Sequence, residues 1–231
     1  MSADAVVLCK ERRPEILVVE GKDDCHGIYQ FAAKKGLSNY FGIWAGDNDE
    51  QALSQFGGLL AVRPADRPSI LGIVLDCDTA NHSPEPLTRR WQQIQSRLDD
   101  RGYAIPKTPN ANGTILESPN IGVLPRIGIW IMPDNVSEGM FEDFLLSCVQ
   151  TETRIFAEKT VDSAKSSGHA DFNDLHRSKS VAHTILAWRD EPGKPIGIAM
   201  KMGLFQTDGE LATTFAKWLE SLFTIPSSET S

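Results

Sequence analysis

Apolar residues along this chain come in short continuous runs separated by stretches with the periodicity of amphipathic helices. Residues 15–20, 40–45, 69–75 and 126–132 hold the clearest runs. A continuous apolar run is typical of a strand that is buried on both faces of a sheet. Between and after the runs, apolar residues recur at helical spacing. The pattern predicts an α/β fold with a central parallel sheet flanked by helices.

The predicted strands and helices divide the chain into two parts. Residues 1–150 read as one α/β domain, with helices at about 23–35, 49–62, 87–98 and 137–149. Residues 103–125 are rich in proline, asparagine and glycine, and we expect a loop insertion there with a short hairpin near 114–117. Residues 151–231 are predicted to form a mainly helical C-terminal extension that packs on the same domain.

Composition and charge limit the function classes. The 231 residues are 41% hydrophobic, and the net charge is −8. This charge counts against a protein that binds nucleic acid through its own basic surface, although a bound cation would supply local positive charge. No apolar run approaches the roughly 20 residues of a transmembrane helix, and residues 1–8 do not resemble a secretory signal, so we expect a cytoplasmic protein without membrane contact. The sequence leaves its oligomeric state open.

The four cysteines are far apart in the sequence. Cys9, Cys25, Cys77 and Cys148 form no CxxC pair, so zinc-ribbon and thioredoxin-like motifs are excluded by spacing. We expect them to be buried free thiols, as is common for isolated cysteines.

Acidic residues stand at the ends of three predicted strands. Glu20 ends the first strand, Asp76 and Asp78 follow the third, and Asp134 follows the fourth. The carboxyl ends of parallel strands meet at one edge of a sheet, where ligands bind. Carboxylates that converge there repel each other unless a cation lies between them. Because side chains alternate along an extended chain, Asp76 and Asp78 should point the same way and Cys77 the opposite way. Oxygen ligands of this kind suit Mg²⁺ or Mn²⁺.

Two of these segments also resemble a known superfamily. Residues 18–24, Val-Val-Glu-Gly-Lys-Asp-Asp, resemble the opening motif of toprim domains, and residues 73–78, Ile-Val-Leu-Asp-Cys-Asp, resemble their second motif. Toprim domains occur in topoisomerases, bacterial primases and nucleases of the overcoming-lysogenization-defect type. Residues 128–135, 139–143, 176–179 and 187–193 resemble a bacterial toprim-related family of unknown function. The toprim resemblance covers about residues 14–150 and implies a Rossmann-like fold.

The resemblance also implies roles for single residues. Glu20 matches the toprim glutamate, which is expected to act as a general acid or base and to contact metal. Asp76 and Asp78 match the metal-binding aspartates, and Asp24 matches an additional acidic position of nuclease-type toprims. The sequence contains no GxxxxGK[ST] motif, recognisable catalytic-tyrosine domain or zinc module, which disfavours topoisomerase and primase roles.

Several further polar residues are weaker candidates. Glu142 and Asp143 are acidic residues on the predicted helix after the fourth strand. His26 lies within one turn of the first acidic motif, although a surface position is the simpler interpretation. The polar cluster at residues 169–176 has no known metal-ligand spacing. Arg177 and Lys179 are candidates to contact phosphate or to solvate the start of a helix.

These observations favour a metal-dependent enzyme that acts on the phosphodiester bonds of nucleic acid, most specifically a nuclease. A non-catalytic toprim-like module that binds metal or a partner remains the main alternative. A haloacid-dehalogenase-type phosphatase would also use Asp76 and Asp78, but Ala80 and the position of the motif after the third strand depart from that pattern. A glycosyltransferase with a DxD site would leave Glu20 and Gly21 unexplained.

Overall fold

A computed structural model describes residues 8–78 and 85–224 of the chain. Its strands form one five-stranded sheet with the order β2-β1-β3-β5-β4. The strands are β1 (Glu15–Val19), β2 (Gly42–Ala45), β3 (Ile70–Asp76), β4 (Thr114–Leu116) and β5 (Arg126–Met132). The pairs β1–β2, β1–β3 and β3–β5 are parallel, and only β4 is antiparallel to its neighbour. The prediction of an α/β fold with a mostly parallel central sheet is confirmed.

Helices connect the strands and make up most of the C-terminal region. They are α1 (Lys22–Lys34), α2 (Asp49–Ala61), α3 (Pro86–Leu98), α4 (Phe141–Ser147), α5 (Thr151–Ser166), α6 (Arg177–Ala187), α7 (Ile196–Lys201) and α8 (Glu210–Phe223). Short 3-10 turns lie at Pro64–Asp66 and Asp174–His176. No helix in the described ranges is long and apolar enough to span a membrane.

Both faces of the sheet are buried, and this accounts for the continuous apolar runs. Leu17 and Val19 of β1 belong to a core that contains α1 and the C-terminal helices. Ile16 and Val18 point the other way, into a second core with α2 and α3. Each strand residue therefore faces one of two apolar layers, as expected for parallel strands covered by helices on both sides.

The C-terminal helices pack directly on the sheet. Phe215 of α8 contacts the ring of Trp130 on β5 at a centroid distance of 4.9 Å. A Cβ atom added to Gly128 would lie 2.1 Å from Cδ2 of Leu222, so only glycine lets α8 approach β5 this closely. The region after residue 150 thus shares one hydrophobic core with the sheet.

Two segments differ from the sequence predictions. The segment predicted as a hairpin near 114–117 instead forms β4, which extends the main sheet by pairing with β5. The helix predicted from residue 137 begins at Phe141. Asp134 accepts hydrogen bonds from the backbone N–H groups of Val136 and Ser137, which makes a turn, and Gly139 has φ 141°, which no helix contains. Local turn chemistry therefore delays the start of α4.

The expectation of free thiols is wrong for two of the cysteines. Cys9 and Cys25 form a disulfide with a Cα–Cα distance of 6.0 Å, whereas Cys77 and Cys148 are free and buried. The carbonyl of Cys9 accepts a hydrogen bond from the backbone N–H of Ala45 on β2, so the N-terminal segment lies beside this edge strand and reaches α1. The pairing depends on tertiary contacts that sequence spacing does not reveal.

Candidate functional site

A cavity of about 470 Å³ opens at the carboxyl ends of β1, β2 and β3. This is the edge where ligands bind in open parallel sheets. Its lining combines the loops after these strands with the starts of α1, α4 and α6, and it is strongly acidic. The carboxylate-bearing residues of the lining are Glu20, Asp23, Asp24, Asp47, Asp76, Asp78 and Glu142.

Glu20 and Asp76 lie together because β1 and β3 are adjacent parallel strands. Val19 is in register with Val74, so the residues that follow the two strands emerge side by side. One carboxylate oxygen of Glu20 accepts a long hydrogen bond of 3.4 Å from the backbone N–H of Asp76. Oδ1 of Asp76 accepts a hydrogen bond of 2.8 Å from the backbone N–H of Phe141, at the start of α4. Asp76 therefore links the end of β3 to the beginning of a helix.

Asp24 reaches the same cavity from the first turn of α1. Its Oδ2 accepts a hydrogen bond of 2.7 Å from the backbone N–H of Gly21, which is the N-cap of the helix. This contact satisfies one N–H group that the helix cannot pair internally. It also places the carboxylate beside the end of β1.

Asp78 is held by its backbone as well as by its side chain. Its φ of 68° is left-handed, which is uncommon for a residue other than glycine. It exchanges two backbone hydrogen bonds, of 3.0 and 2.8 Å, with Gly139. Asp76 and Asp78 both line the cavity, whereas Cys77 is buried in the core on the α2–α3 side. The predicted alternation holds for Asp76 and Cys77, but Asp78 is not extended and directs its carboxylate to Arg90 of α3.

Arg90 on α3 is a residue of this region that the sequence motifs did not indicate. Its guanidinium donates to Oδ2 of Asp78 and Oδ2 of Asp49, both at 2.9 Å, and to the carbonyl of Asp76 at 2.8 Å. Its side chain is only 4% exposed. The sequence nevertheless contained a sign of this role. Arg90 stands four residues before Ile94, on the buried face of the helix, where a charged side chain needs a partner because an unpaired buried charge is costly.

Burial and mutual repulsion shift the titration of the central carboxyl groups. Desolvation raises the pKa of Glu20 to about 7, with a further contribution from the charge of Asp24, while the nearby Arg90 lowers it. Desolvation raises the pKa of Asp24 to about 7 as well, and the charge of Glu142 adds to the shift. Desolvation, followed by the charges of Asp24 and Glu20, raises the pKa of Asp76 well above its usual range. These three carboxyl groups therefore hold their protons more tightly than exposed carboxyl groups do.

The C-terminal region supplies one wall of the cavity. Glu142 of α4 is 6% exposed, and its Oε1 lies 3.9 Å from Nζ of Lys179 on α6. Desolvation raises the pKa of Glu142, and Lys179 opposes this effect. His176, immediately before α6, also lines the cavity. The site therefore extends beyond the α/β part of the chain in which the sequence motifs lie.

Other candidates from the sequence lie outside the cavity lining. Both carboxylate oxygens of Asp134 are engaged within its own turn, with Ser137 among the donors. Asp143 accepts hydrogen bonds from the backbone of Met140 and from the hydroxyl of Ser178. Nε2 of His26 lies 3.9 Å from Sγ of the disulfide-bonded Cys9.

Most residues of the polar segment 169–176 also lie outside the cavity lining. Asp174 is paired with Lys165 of α5, and only His176 of this segment reaches the cavity. Arg177 forms a two-pronged ion pair with Asp162, with donor–acceptor distances of 2.8 and 2.7 Å. Arg177 is thereby directed to α5 and away from the acidic edge.

The carboxylate oxygens that line the cavity are of the type that divalent cations bind, but they are not arranged as a metal site. Carboxylate oxygens are the preferred ligands of Mg²⁺ and Mn²⁺. A cation would offset the repulsion that, after desolvation, adds to the raised pKa values of Glu20, Asp24 and Asp76. Across residues 8–78 and 85–224, however, no three Asp, Glu, His or Cys side chains are grouped closely enough to hold a metal together. Asp78 is paired with Arg90, and Asp76 with a backbone N–H.

Comparison with protein families places almost the whole chain in one group. A family described as "Protein of unknown function (DUF3226)" matches residues 14–224. The chain belongs to this family. No curated protein and no solved structure matches it. The DUF3226 match includes both the strand-end carboxylates and the C-terminal wall with His176 and Lys179, so the cavity lies within the matched region.

The raised pKa of Glu20 predicts how the stability of this DUF3226 protein depends on pH in metal-free buffer. The folded protein holds the Glu20 proton more tightly than the unfolded chain does, so this stabilisation is fully present below about pH 4.5 and is lost as pH rises through about 7. Glu20→Gln removes the effect. Between pH 5 and 8, the free energy of unfolding of the variant should therefore increase relative to that of the wild type, by on the order of 1–3 kcal/mol.

Urea unfolding with a chelator present measures this difference. Asp47→Asn is the matched control, because Asp47 lines the same cavity but is exposed. A difference between Glu20→Gln and wild type that stays constant with pH would contradict the assigned environment of Glu20.

The buried position of Arg90 predicts a large effect of its removal. Arg90→Met leaves Asp49 and Asp78 without their cation and should lower the free energy of unfolding by about 2–3 kcal/mol at pH 7, since breaking a buried ion pair is costly even when its acidic partners are partly exposed. Arg89→Met, at the exposed neighbouring position, should change it by less than about 0.5 kcal/mol. Adding Asp78→Asn to Arg90→Met should recover part of the loss. Equal effects of the two arginine substitutions would show that the buried pairs contribute nothing.

Proposed function

We propose that this protein carries out divalent-metal-dependent phosphodiester chemistry on nucleic acid, most specifically as a toprim-type nuclease. The observation that carries the proposal is the meeting of Glu20 and Asp76, from the two toprim-like motifs, at the ends of adjacent parallel strands. Two separate sequence motifs therefore contribute to one cavity. The excess of buried negative charge there gives a cation a physical reason to bind.

In this proposal the carboxylates have separate tasks. Asp76 and Asp78, with Glu20 and Asp24 beside them, would hold Mg²⁺ or Mn²⁺. Bound there, the metal would neutralise a phosphodiester and lower the pKa of a water molecule. Glu20, whose pKa is about 7, is suited to exchange a proton with the nucleophile or leaving group near neutral pH.

The positively charged residues of the cavity fit a phosphate substrate. Lys22 and Lys179 line the cavity, one at the start of α1 and the other on α6. The Lys179 side chain is 48% exposed and can reach a ligand in the opening. These side chains supply the positive charge that the overall composition lacks. A cytoplasmic location is also part of the proposal, and in that compartment thiol buffers would reduce the Cys9–Cys25 disulfide of the structure.

A second candidate function is a non-catalytic module that binds metal or a partner. One observation favours it specifically. Asp78 is engaged with Arg90, and Asp76 with the N–H of Phe141, so both aspartates have structural partners without any metal. Such contacts are what a site retained for stability would contain.

Metal binding is the first test, because both functions make claims about it. Mg²⁺ or Mn²⁺ at about 100 times its dissociation constant should add roughly 2.7 kcal/mol to the stability of the wild type if it binds only the folded state. The rise in melting temperature should largely disappear in Asp76→Asn/Asp78→Asn. It should remain in Asp134→Asn, because Asp134 lies outside the cavity lining. An equal rise in wild type and the double variant would rule out these aspartates as ligands.

Cleavage is the second test. Wild type, incubated with Mg²⁺ or Mn²⁺, should cleave single- or double-stranded DNA or RNA, and Glu20→Gln should be slower by about 10²- to 10⁴-fold if Glu20 transfers a proton. Cys77→Val is the matched control on the same strand end. Its side chain is buried on the opposite side, so activity should persist at a stability cost of about 1 kcal/mol.

The results of these two tests distinguish the two candidate functions. Metal-dependent stabilisation without cleavage of any of the four substrates would replace the nuclease with the metal-binding module. Cleavage by Glu20→Gln at the wild-type rate would remove the assigned role of Glu20.

A further inference from the structure

The Cys9–Cys25 disulfide joins two segments that border the acidic cavity. Cys25 is in the first turn of α1, directly after Asp24, whose carboxylate reaches the cavity. The backbone N–H of Cys25 donates to the carbonyl of Gly21, the N-cap residue, which also lines the cavity. The chain between the two cysteines, which are 16 positions apart, contains β1 and the whole first acidic motif from Glu20 to Asp24. The disulfide is therefore connected to the site through a single helical turn.

The other cysteine belongs to a short N-terminal strap, residues 9–13, which lies along the outer edge of β2. Polar contacts hold the strap there. The carbonyl of Cys9 accepts a hydrogen bond of 3.1 Å from the N–H of Ala45, and Nε1 of Trp44 donates to the carbonyl of Glu11 at 2.7 Å. The strap therefore supports the carboxyl end of β2, and the loop that follows this strand lines the cavity.

The surroundings of the two sulfur atoms favour reversible reduction. Both cysteines are buried, but Lys10 and Arg12 of the strap are exposed, and surface segments of this kind open locally more easily than a core does. Nε2 of His26 lies 3.9 Å from Sγ of Cys9, and Cys25 is in the first turn of a helix. An imidazolium and a helix N-terminus both stabilise a thiolate. A stabilised thiolate leaves readily in thiol–disulfide exchange.

We propose that the Cys9–Cys25 disulfide is a redox switch that controls the order of the acidic edge. When the bond is present, it holds the strap against both β2 and the first turn of α1. Two thiol groups of a cellular reductant supply two electrons and two protons, so the S–S bond breaks, both cysteines become thiols and the reductant becomes a disulfide. The strap is then held by its non-covalent contacts alone.

This switch acts on the support of the edge and does not depend on the proposed metal binding or nuclease activity. In the reduced state, the first turn of α1 and the end of β2 lose their covalent connection through the strap. Both carry residues of the cavity lining, namely Asp24 and, directly after β2, Gly46. Disulfides of cytoplasmic proteins are usually transient and often redox-sensing, which matches this role.

Hydrogen exchange of the folded full-length chain tests the switch, in metal-free buffer with either oxidised or reduced glutathione. Reduction should accelerate exchange in residues 9–13, 21–25 and 43–48 by about ten-fold, because these segments lose their shared support. Exchange in β5, which is separated from β1 by β3, should be the same in both states. Returning the protein to oxidised glutathione should restore the slow exchange.

Two variants serve as matched controls. Cys9→Ser/Cys25→Ser should exchange at the fast rate under both conditions, whereas Cys77→Val keeps the disulfide and should respond as the wild type does. If the double variant fails to fold, the oxidised and reduced forms of the wild type decide the question without it. The proposal is overturned if glutathione leaves the bond intact in the folded protein, as it does for purely structural disulfides. It is equally overturned if reduction leaves exchange at residues 21–25 and 43–48 unchanged.

Discussion

Arg90 lies where β3, α2 and α3 meet, and its guanidinium contacts all three. The topology of the sheet brings the ends of β1 and β3 together, and each end carries carboxylates. Without a cation among them, their repulsion would oppose the packing of these strands. Arg90 offsets part of that repulsion by pairing with Asp49 and Asp78 and by donating to the carbonyl of Asp76. Glu20, Asp24 and Asp76 keep raised pKa values, because burial desolvates them and neighbouring carboxylates add repulsion. The polar chemistry of this edge and the stability of the sheet are therefore set by the same few contacts.

The parts of the fold that the sequence predicts are those governed by local periodicity. The run at residues 126–132 matches β5 residue for residue, because a strand buried on both faces must be apolar throughout. The position of Glu20 and Asp76 at one edge follows from the same pattern, since parallel strands end on the same side of a sheet. The contact between Arg90 and Asp78 could not be predicted in this way, because it depends on how α3 is oriented over the sheet. The late start of α4 was missed because the turn at Asp134 and the backbone of Gly139 override helical propensity there.

The C-terminal helices show why a motif within residues 14–150 gives an incomplete site. Lys179 and His176 reach the cavity only because α6 packs against α4, and α8 in turn fixes the C-terminal region on β5 through Leu222 and Gly128. The DUF3226 match extends to residue 224 and so includes these elements. The matched region therefore contains the sheet edge together with the helical wall that closes it. The chemistry of the family has to be sought in the combination of the two.

Oδ1 of Asp76 accepts a hydrogen bond from the N–H of Phe141. The same oxygen atom therefore serves both the start of α4 and the proposed cation site. In the metal-free protein this oxygen satisfies the first turn of α4. Under the proposed function, a cation bound to the same oxygen would draw electron density from it and so weaken its hydrogen bond to that N–H group. By thermodynamic reciprocity, any partner that stabilises the start of α4 weakens the binding of such a cation, and any partner that loosens it strengthens that binding by the same factor. Glu142, on that same turn, is close to Lys179, so a ligand that engages this lysine also bears on the helix start. If the acidic edge binds metal as proposed, this shared oxygen would couple the occupancy of the edge to the order of α4.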